Sequence, residues 1–316
     1  MSGIVNGAKT AVLMGGIGEE REVSLQSGKC VYESLNKAGM DVVASDITPE
    51  NMAILDDDSI DVFFLALHGR FGEDGELQQI MEEKGLVYTG SGPWSSRLAF
   101  DKIASKKAFL EAGIKTPAVI EVNRESDFTE LEKQLAGFAA KYVVKPVRQG
   151  SSVGVSIFDR ASAATAAAEK VLLEFGDCMI EEFIKGREFT VGVLCGEALP
   201  VIEVRPKAGF YDYHAKYIAD STEYLFDTLE DGGLETRIKQ AGKNCFAALG
   251  LRDVARIDFI VTDEGNICAL EANTIPGFTT HSLLPKAAAK AGYPMADLCI
   301  RIIEAALENK KLKIAK

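Results

Sequence analysis

The tightest constraint on the fold is a pair of alternating segments that a compact turn joins. Residues 254–261 and 267–273 alternate apolar and polar side chains, as strands with one buried face do. The turn residues Glu264 and Gly265 lie midway between them. The pattern predicts an antiparallel hairpin whose inward positions enter a core. Those positions are Ile257, Phe259, Leu270 and Ala272.

The outward face of this hairpin carries charge. A turn centred on Glu264 and Gly265 would place Asp258 opposite Glu271 and Arg256 opposite Asn273. Directly opposed Cβ atoms are only ~5 Å apart, so two carboxylates there repel unless a cation lies between them. Oxygen ligands of this kind suit Mg²⁺ or Mn²⁺. The alternatives are a solvated surface hairpin, or a register shifted by a bulge at Gly265.

Three units follow from the order of predicted elements. Strands and helices alternate up to residue 92, which predicts a parallel sheet flanked by helices. The strands are 10–14, 42–45, 61–67 and 86–88, and the helices are 21–38 and 77–84. The next unit has helices 97–112 and 162–174 and strands 118–122, 142–147, 155–158 and 178–182. The last unit has strands 189–194 and 199–204, an irregular stretch 206–232, and helices 284–291 and 295–307. A stretch of this length is either a functional lid or disordered. Boundaries near residues 92 and 185 give the units 1–92, 93–185 and 186–316.

Composition narrows the function classes. A hydrophobic fraction of 47% supports ordinary cores, and a net charge of −12 argues against nucleic acid or an anionic membrane as partner. No apolar run approaches the ~20 residues of a membrane helix. The six cysteines show neither disulfide nor zinc spacing, so we expect free thiols and a cytoplasmic location.

A Gly/Ser-rich loop near residue 150 is a candidate phosphate site. It lies between predicted strands, and its backbone N–H groups could hold phosphate oxygens beside Lys145. It is not a Walker A loop, because no Gly-Lys-Ser/Thr opens a helix. A flexible hairpin with an exposed lysine is the alternative.

Three further segments carry possible ligand groups. Residues 15–22 join the first strand to the first helix, a place that suits an anion or, through its carboxylates, a substrate ammonium group. His68 follows the third strand, where ligands of α/β sheets bind, although a lone histidine there is more often structural. Residues 179–184 could offer their backbone to a purine edge, or form a solvated acidic strand end.

Taken together, these segments resemble the D-alanine–D-alanine ligases of the ATP-grasp superfamily. The resemblance runs from residue 15 to about residue 307. The matching segments are 18–25, 67–70, 72–75, 145–146, 150–154, 211–217, 256–258, 271–277 and 281–283.

The resemblance implies a fold and a reaction. The fold would be α/β (α+β overall), a three-domain ATP-grasp architecture with an N-terminal parallel-sheet domain and two domains that sandwich ATP. ATP would phosphorylate the carboxylate of one D-alanine, and the amine of a second D-alanine would displace phosphate. Two Mg²⁺ or Mn²⁺ ions at Asp258, Glu271 and Asn273 would assist. The dipeptide would serve peptidoglycan precursor synthesis, and the family implies a homodimer formed through the first domain.

The same resemblance assigns roles to single residues. The nucleotide would be held by Lys102, Lys145, Glu181, Glu182, Ile184, Glu188 and Lys216. Glu20 would bind the ammonium group of the first D-alanine, which His68 orients. The oxyanion hole would be Arg256 with the N–H of Gly277. Ser282 and Leu283 would position the second substrate, and Ser151 and Tyr217 would join Glu20 in a network that closes the lid 206–232.

Some positions depart from the family pattern, and other readings stay open. His214 stands where Glu is usual, Phe278 stands where Met is common, and the expected Pro after Leu225 is missing. Tyr217 goes with D-alanine as second substrate in this family, and Phe with D-lactate. The alternatives are a related ATP-grasp ligase, a D-alanine–D-lactate ligase, an NAD enzyme and a non-catalytic nucleotide-binding module.

Overall fold

Three sheets organise the chain in the computed structural model, which describes residue 5 and residues 7–206, 222–229 and 232–314. The first sheet consists of β1 (Thr10–Gly15), β2 (Val42–Ile47) and β3 (Val62–Leu65), which are parallel in the order β2-β1-β3. The helices α1 (Arg21–Lys37) and α2 (Glu76–Glu83) accompany it, with a 3₁₀ helix over Ala53–Asp56. The predicted parallel sheet is therefore confirmed. The predicted strand 86–88 is reduced to a single bridge between Phe63 and Tyr88.

The second sheet is antiparallel. It contains β4 (Val119–Val122), β5 (Tyr142–Lys145), β6 (Ser156–Phe158) and β7 (Cys178–Glu182) in the order β4-β7-β5-β6. The helices α5 (Phe128–Ala136) and α6 (Ala161–Phe175) share its core. Helix α5 was not predicted, although Asp127 accepts hydrogen bonds from the N–H groups of Thr129 and Glu130 as a helix cap does.

The third sheet carries the predicted hairpin. Its strands are β8 (Arg187–Leu194), β9 (Glu197–Ala198), β10 (Ile202–Pro206), β11 (Thr222–Leu225), β12 (Val254–Val261) and β13 (Ile267–Asn273). They run antiparallel in the order β11-β10-β8-β12-β13, and β9 pairs with β8. The helices are α7 (Gly232–Ala248), α8 (Leu283–Lys290) and α9 (Met295–Ile314). Strand β11 corrects the prediction of an irregular stretch throughout residues 206–232, and α7 was not predicted.

A break at Asp101 divides the predicted helix 97–112 into α3 (Pro93–Phe100) and α4 (Lys102–Glu111). Asp101 is extended, with φ −85° and ψ 102°, and its carboxylate accepts the N–H of Ala104. It therefore caps α4. As a result Lys102 and Lys106 lie one turn apart on the same buried face of α4.

Long-range hydrogen bonds join residues 90–95, which follow the first sheet, to the segment between α7 and β12. Asp253, just before β12, accepts the N–H of Gly90 at 2.8 Å and an amide hydrogen of Asn309 at 2.7 Å. Ser95 donates to the carbonyl of Gly250 at 2.7 Å. The boundaries near residues 92 and 185 stay predictions. None of the described helices is both long and apolar enough to cross a bilayer.

A buried carboxylate on β10 yields a prediction about acid stability. Glu203 is 3% exposed and accepts hydrogen bonds from Arg187 and Arg205. Burial alone would raise its pKa, but hydrogen bonds from Arg187, Thr228 and Arg205 lower the pKa to about 2. A carboxyl group whose pKa is lowered in the folded state stabilises the fold at pH values above 4.5, its ordinary pKa. This stabilisation is lost as the pH falls towards 2.

Glu203→Gln should therefore lower the free energy of unfolding by about 2 kcal/mol at pH 7, less than the full pKa shift implies, because water around the exposed arginines screens the interaction. The difference from wild type should shrink on going to pH 3. Urea denaturation at both pH values measures it. Glu197→Gln, on the neighbouring strand with a mostly exposed side chain, is the control and should change little at either pH. A Glu203→Gln effect equal at pH 7 and pH 3 would contradict the assignment.

Candidate active site

The β12–β13 hairpin has the predicted pairing at its polar face. Asp258 lies opposite Glu271, and Arg256 lies opposite Asn273. Asp258 is buried, while the other three side chains are partly exposed. The predicted pairing of these four residues is therefore confirmed.

This pairing results from two offsets that cancel. At the turn, Val261 pairs with Ile267, so the turn centre lies half a residue earlier than predicted. A bulge between Asp258 and Phe259 then restores the register. The bulge turns Leu270 away from the core, where it was predicted, because Phe259 pairs with Ala269 instead. Leu270 is half-buried and lines a cavity on the polar face.

Protein cations already contact the two carboxylates. Arg256 donates to both oxygens of Asp258, at 3.0 and 2.9 Å, and Thr190 donates to Oδ1 at 2.6 Å. Lys102 Nζ lies 3.4 Å from Glu271 Oε2. The mutual repulsion expected from the sequence is therefore offset by side chains of this chain.

Asn273 supplies an independent test of the predicted metal site. Its Oδ1 atom is buried and has no hydrogen-bond partner among the described residues. Buried polar atoms rarely stay unpaired, and an amide oxygen can ligate a cation instead. Two carboxylates and this oxygen on one sheet face fit the hard-oxygen donor set of Mg²⁺ or Mn²⁺.

A first cavity extends from this face to the segments that follow β1 and β3. The predicted substrate and oxyanion residues among its lining are Glu20, His68, Ser151, Arg256, Gly277, Ser282 and Leu283. Ser151 Oγ lies 2.6 Å from Glu20 Oε1, although the two residues are 131 positions apart. A Cβ at Gly150 would lie 2.8 Å from the Glu20 carboxylate, and one at Gly277 would lie 2.6 Å from Ser282 Oγ. Both glycines therefore permit close approaches that build this cavity.

His68 is neutral in this environment. It is 4% exposed, and its Nε2 lies 3.0 Å from Ser27 Oγ. Burial lowers its pKa to about 4, and nearby Arg256 adds to the effect. At neutral pH the ring can therefore orient a ligand by hydrogen bonding and not by charge.

Glu73 lines the site although it was not predicted as a site residue; it lies in the matching segment 72–75. It is 7% exposed, lines the first cavity, and accepts the N–H groups of Gly69 and Ile275. Burial and the neighbouring Glu20 raise its pKa to about 8. No periodicity could have indicated this, because the burial arises from contacts between distant segments.

A second cavity adjoins the first. Every described residue predicted to hold the nucleotide lines it: Lys102, Lys145, Glu181, Glu182, Ile184 and Glu188. Its apolar walls come from both antiparallel sheets, for example Val143 and Ile260. Lys102, Asp258 and Glu271 line both cavities, so the carboxylate hairpin lies where they meet. The predicted residues Lys216 and Tyr217, and His214, lie outside the described residues.

Phe278, another departure from the family pattern, lies in the segment before α8. Phe278 is 1% exposed and packs edge-on against Phe64, with ring centroids 5.2 Å apart. The exchange of Met for Phe at this position is therefore accommodated in the core. Ser282 Oγ accepts the N–H of Thr279 at 3.0 Å, which places Ser282 and Leu283 at the start of α8 beside the first cavity.

Two antiparallel sheets that line one cavity, next to a parallel sheet whose connecting segments line another, define an ATP-grasp ligase fold. Comparison with known proteins agrees. Residues 52–91 match the model for the N-terminus of the D-Ala–D-Ala ligases, and residues 109–304 match the model for their C-terminus. The chain belongs to the D-alanine–D-alanine ligase family.

Individual relatives cover nearly the whole chain. The D-alanine–D-alanine ligase of Citrifermentans bemidjiense is 44% identical over 94% of this chain and 96% of its own length. The crystal structure of the Bacillus anthracis D-alanine–D-alanine ligase complexed with ATP is 34% identical, covers 97% of this chain and 99% of that chain, and has a TM-score of 0.84. The crystal structure of the VanG D-Ala:D-Ser ligase from Enterococcus faecalis is 29% identical, covers 95% of this chain and 99% of that chain, and has a TM-score of 0.83.

Proposed function

We propose that this protein ligates two D-alanine molecules to D-alanyl-D-alanine, with conversion of ATP to ADP and phosphate. The observation that carries the proposal is the position of the Asp258–Glu271 pair where the two cavities meet. A nucleotide in the second cavity and a carboxylate in the first would bring the γ-phosphate and the attacking carboxylate oxygen to this pair. Family membership at 44% identity over almost the full length supports the same reaction.

The first step would form an acyl phosphate. An oxygen of the first D-alanine carboxylate attacks the γ-phosphorus of ATP, and ADP leaves. Glu20, held by Ser151, binds the ammonium group of that D-alanine, and neutral His68 orients it. Lys102 and Lys145 hold the phosphates, and the apolar walls around Ile184 enclose the adenosine. Lys216 would close over the phosphates.

The second step would form the peptide bond. The amine nitrogen of the second D-alanine attacks the acyl carbon, the bond from that carbon to the phosphate oxygen breaks, and the nitrogen loses a proton. Arg256 and the N–H of Gly277 stabilise the oxyanion of the tetrahedral intermediate. Ser282 and Leu283 position the second substrate, and Tyr217 belongs to the closing network.

Asp258, Glu271 and Asn273 would hold two divalent ions, Mg²⁺ or Mn²⁺. Such ions offset the charge on the nucleotide phosphates. The unpaired amide oxygen of Asn273 supports this part of the proposal. The proposal also includes a homodimer, a cytoplasmic location and a role in peptidoglycan precursor synthesis. It divides the chain into the units 1–92, 93–185 and 186–316.

Phosphate release from ATP tests the function. With Mg²⁺ and D-alanine, we expect release of one phosphate for each dipeptide formed. Because one structural relative is a D-Ala:D-Ser ligase, parallel assays replace the second substrate by D-serine or D-lactate. We expect D-alanine to be preferred over both by at least about tenfold in kcat/KM, as pocket discrimination allows. No phosphate release with D-alanine would refute the proposal.

A further inference from the structure

Three charged side chains form a buried cluster behind the second cavity. Lys106, Glu181 and Lys145 are 1%, 2% and 9% exposed. Lys106 Nζ lies 2.7 Å from Glu181 Oε1, and Lys145 Nζ lies 2.8 Å from Glu181 Oε2. Each lysine thus contacts a different oxygen of one carboxylate.

Lys106 lies outside the linings of both cavities. Lys145 and Glu181 line the second cavity, but Lys106 is not among the described residues that line either cavity. Its Nζ also donates to Thr116 Oγ1 at 2.6 Å, and that hydroxyl donates to the carbonyl of Ala269 at 2.8 Å. The Lys106 side chain extends from α4 and is fixed by its hydrogen bond to Thr116, which is itself bonded to β13.

The charges in this cluster do not balance. Within the cluster, two lysines share one carboxylate, which leaves one positive charge in excess among these three groups. Burial alone would raise the pKa of Glu181, but Lys145 and Lys106 lower it, so Glu181 is ionised. Burial lowers the pKa of Lys106, and the adjacent carboxylate opposes that shift. If Lys106 were absent, Lys145 would be the one ammonium group on Glu181 among the described residues, and their pair would be neutral.

We propose that Lys106 is a positioning residue of the nucleotide site. It holds Glu181 through one oxygen, so that Lys145, on the other oxygen, keeps positive charge available for the nucleotide phosphates. A phosphate needs such a charge, because a lysine already neutralised by a buried partner binds an anion weakly. This inference rests on the proposed function only in taking the ligand to be an adenine nucleotide.

Calorimetric binding of ADP and of adenosine to the full chain tests the proposal. Lys106→Met keeps an unbranched side chain of similar length and removes the positive charge. We expect the Kd for ADP to rise about tenfold, while the Kd for adenosine changes by less than about twofold. Damage to the fold would weaken both ligands. Lys107→Met, at the next and exposed position, is the matched control and should change neither.

A double-mutant cycle shows whether Lys106 acts through Glu181. In a Glu181→Gln background, Lys106→Met should change ADP binding by less than about threefold. A tenfold loss that persists there would mean a direct action of the Lys106 charge and would overturn the proposal. So would an unchanged ratio of ADP to adenosine affinity in Lys106→Met alone.

Thr116→Val covers the case in which Lys106→Met does not fold. It keeps Lys106 but removes the hydroxyl that fixes it, and it should weaken ADP about threefold with adenosine unaffected. Unchanged ADP affinity in this variant would also count against the proposal. ADP binding needs no D-alanine, so a wild-type chain that binds ADP without turnover would refute the ligase function alone. A wild-type chain that binds no ADP would overturn both.

Discussion

Glu271→Gln should reduce turnover by about a thousandfold or more, which corresponds to about 4 kcal/mol of transition-state stabilisation. The substitution keeps the shape of the side chain but removes the charge that would face the divalent ions. The carboxylate is partly exposed and its contact with Lys102 is 3.4 Å, so the stability of the fold should change little. Phosphate release across a range of Mg²⁺ concentrations, with thermal unfolding on the same samples, measures both effects.

Glu264→Gln is the control for this experiment. It makes the same chemical change in the exposed turn of the same hairpin, away from both cavities. Its turnover should equal that of the wild type. Near-normal turnover in Glu271→Gln would disprove the metal assignment, whatever the control shows.

Arg256→Lys should lower kcat by about a hundredfold to a thousandfold, the range expected for loss of an oxyanion donor. Lysine keeps the charge, but it cannot make two parallel hydrogen bonds to Asp258 and still offer a donor to the cavity. The KM for ATP should stay within about threefold, because Arg256 lines the first cavity and is not among the residues that line the second. Steady-state kinetics with each substrate varied in turn separates these effects.

Arg237→Lys serves as the matched control, since Arg237 is exposed on α7. A rise in the KM for ATP with unchanged kcat in Arg256→Lys would place this arginine at the nucleotide and not at the oxyanion. That result would require a different donor for the tetrahedral intermediate.

Local sequence patterns predicted most elements close to their observed positions. The parallel first sheet and the hairpin strands follow from periodicity, which depends on neighbouring residues alone. Helix α5 was missed although Asp127, with Glu130 three residues later, resembles a capping box. A single helix was predicted over residues 97–112 because the role of Asp101 was not recognised. The extended backbone of Asp101 ends α3, and its side chain caps α4.

The β12–β13 hairpin was predicted in its pairing but not in its turn geometry. The pairing of Asp258 with Glu271 was predicted correctly, but only because an unforeseen bulge compensated for a misplaced turn centre. The bulge also moved Leu270 from the core to the cavity wall. Turn geometry and bulges depend on how neighbouring strands twist and pack, which sequence alternation does not encode.

The sequence by itself determined which groups could act: the acidic hairpin, the Gly/Ser loop with Lys145, and the acidic segment around Glu20. The tertiary structure alone decided how they meet. Ser151 contacts Glu20 across 131 positions, Glu181 is held between Lys106 and Lys145, and burial makes His68 neutral. Strand and helix periods are properties of adjacent residues, whereas these contacts and pKa shifts exist only once separate sheets close on each other and exclude water.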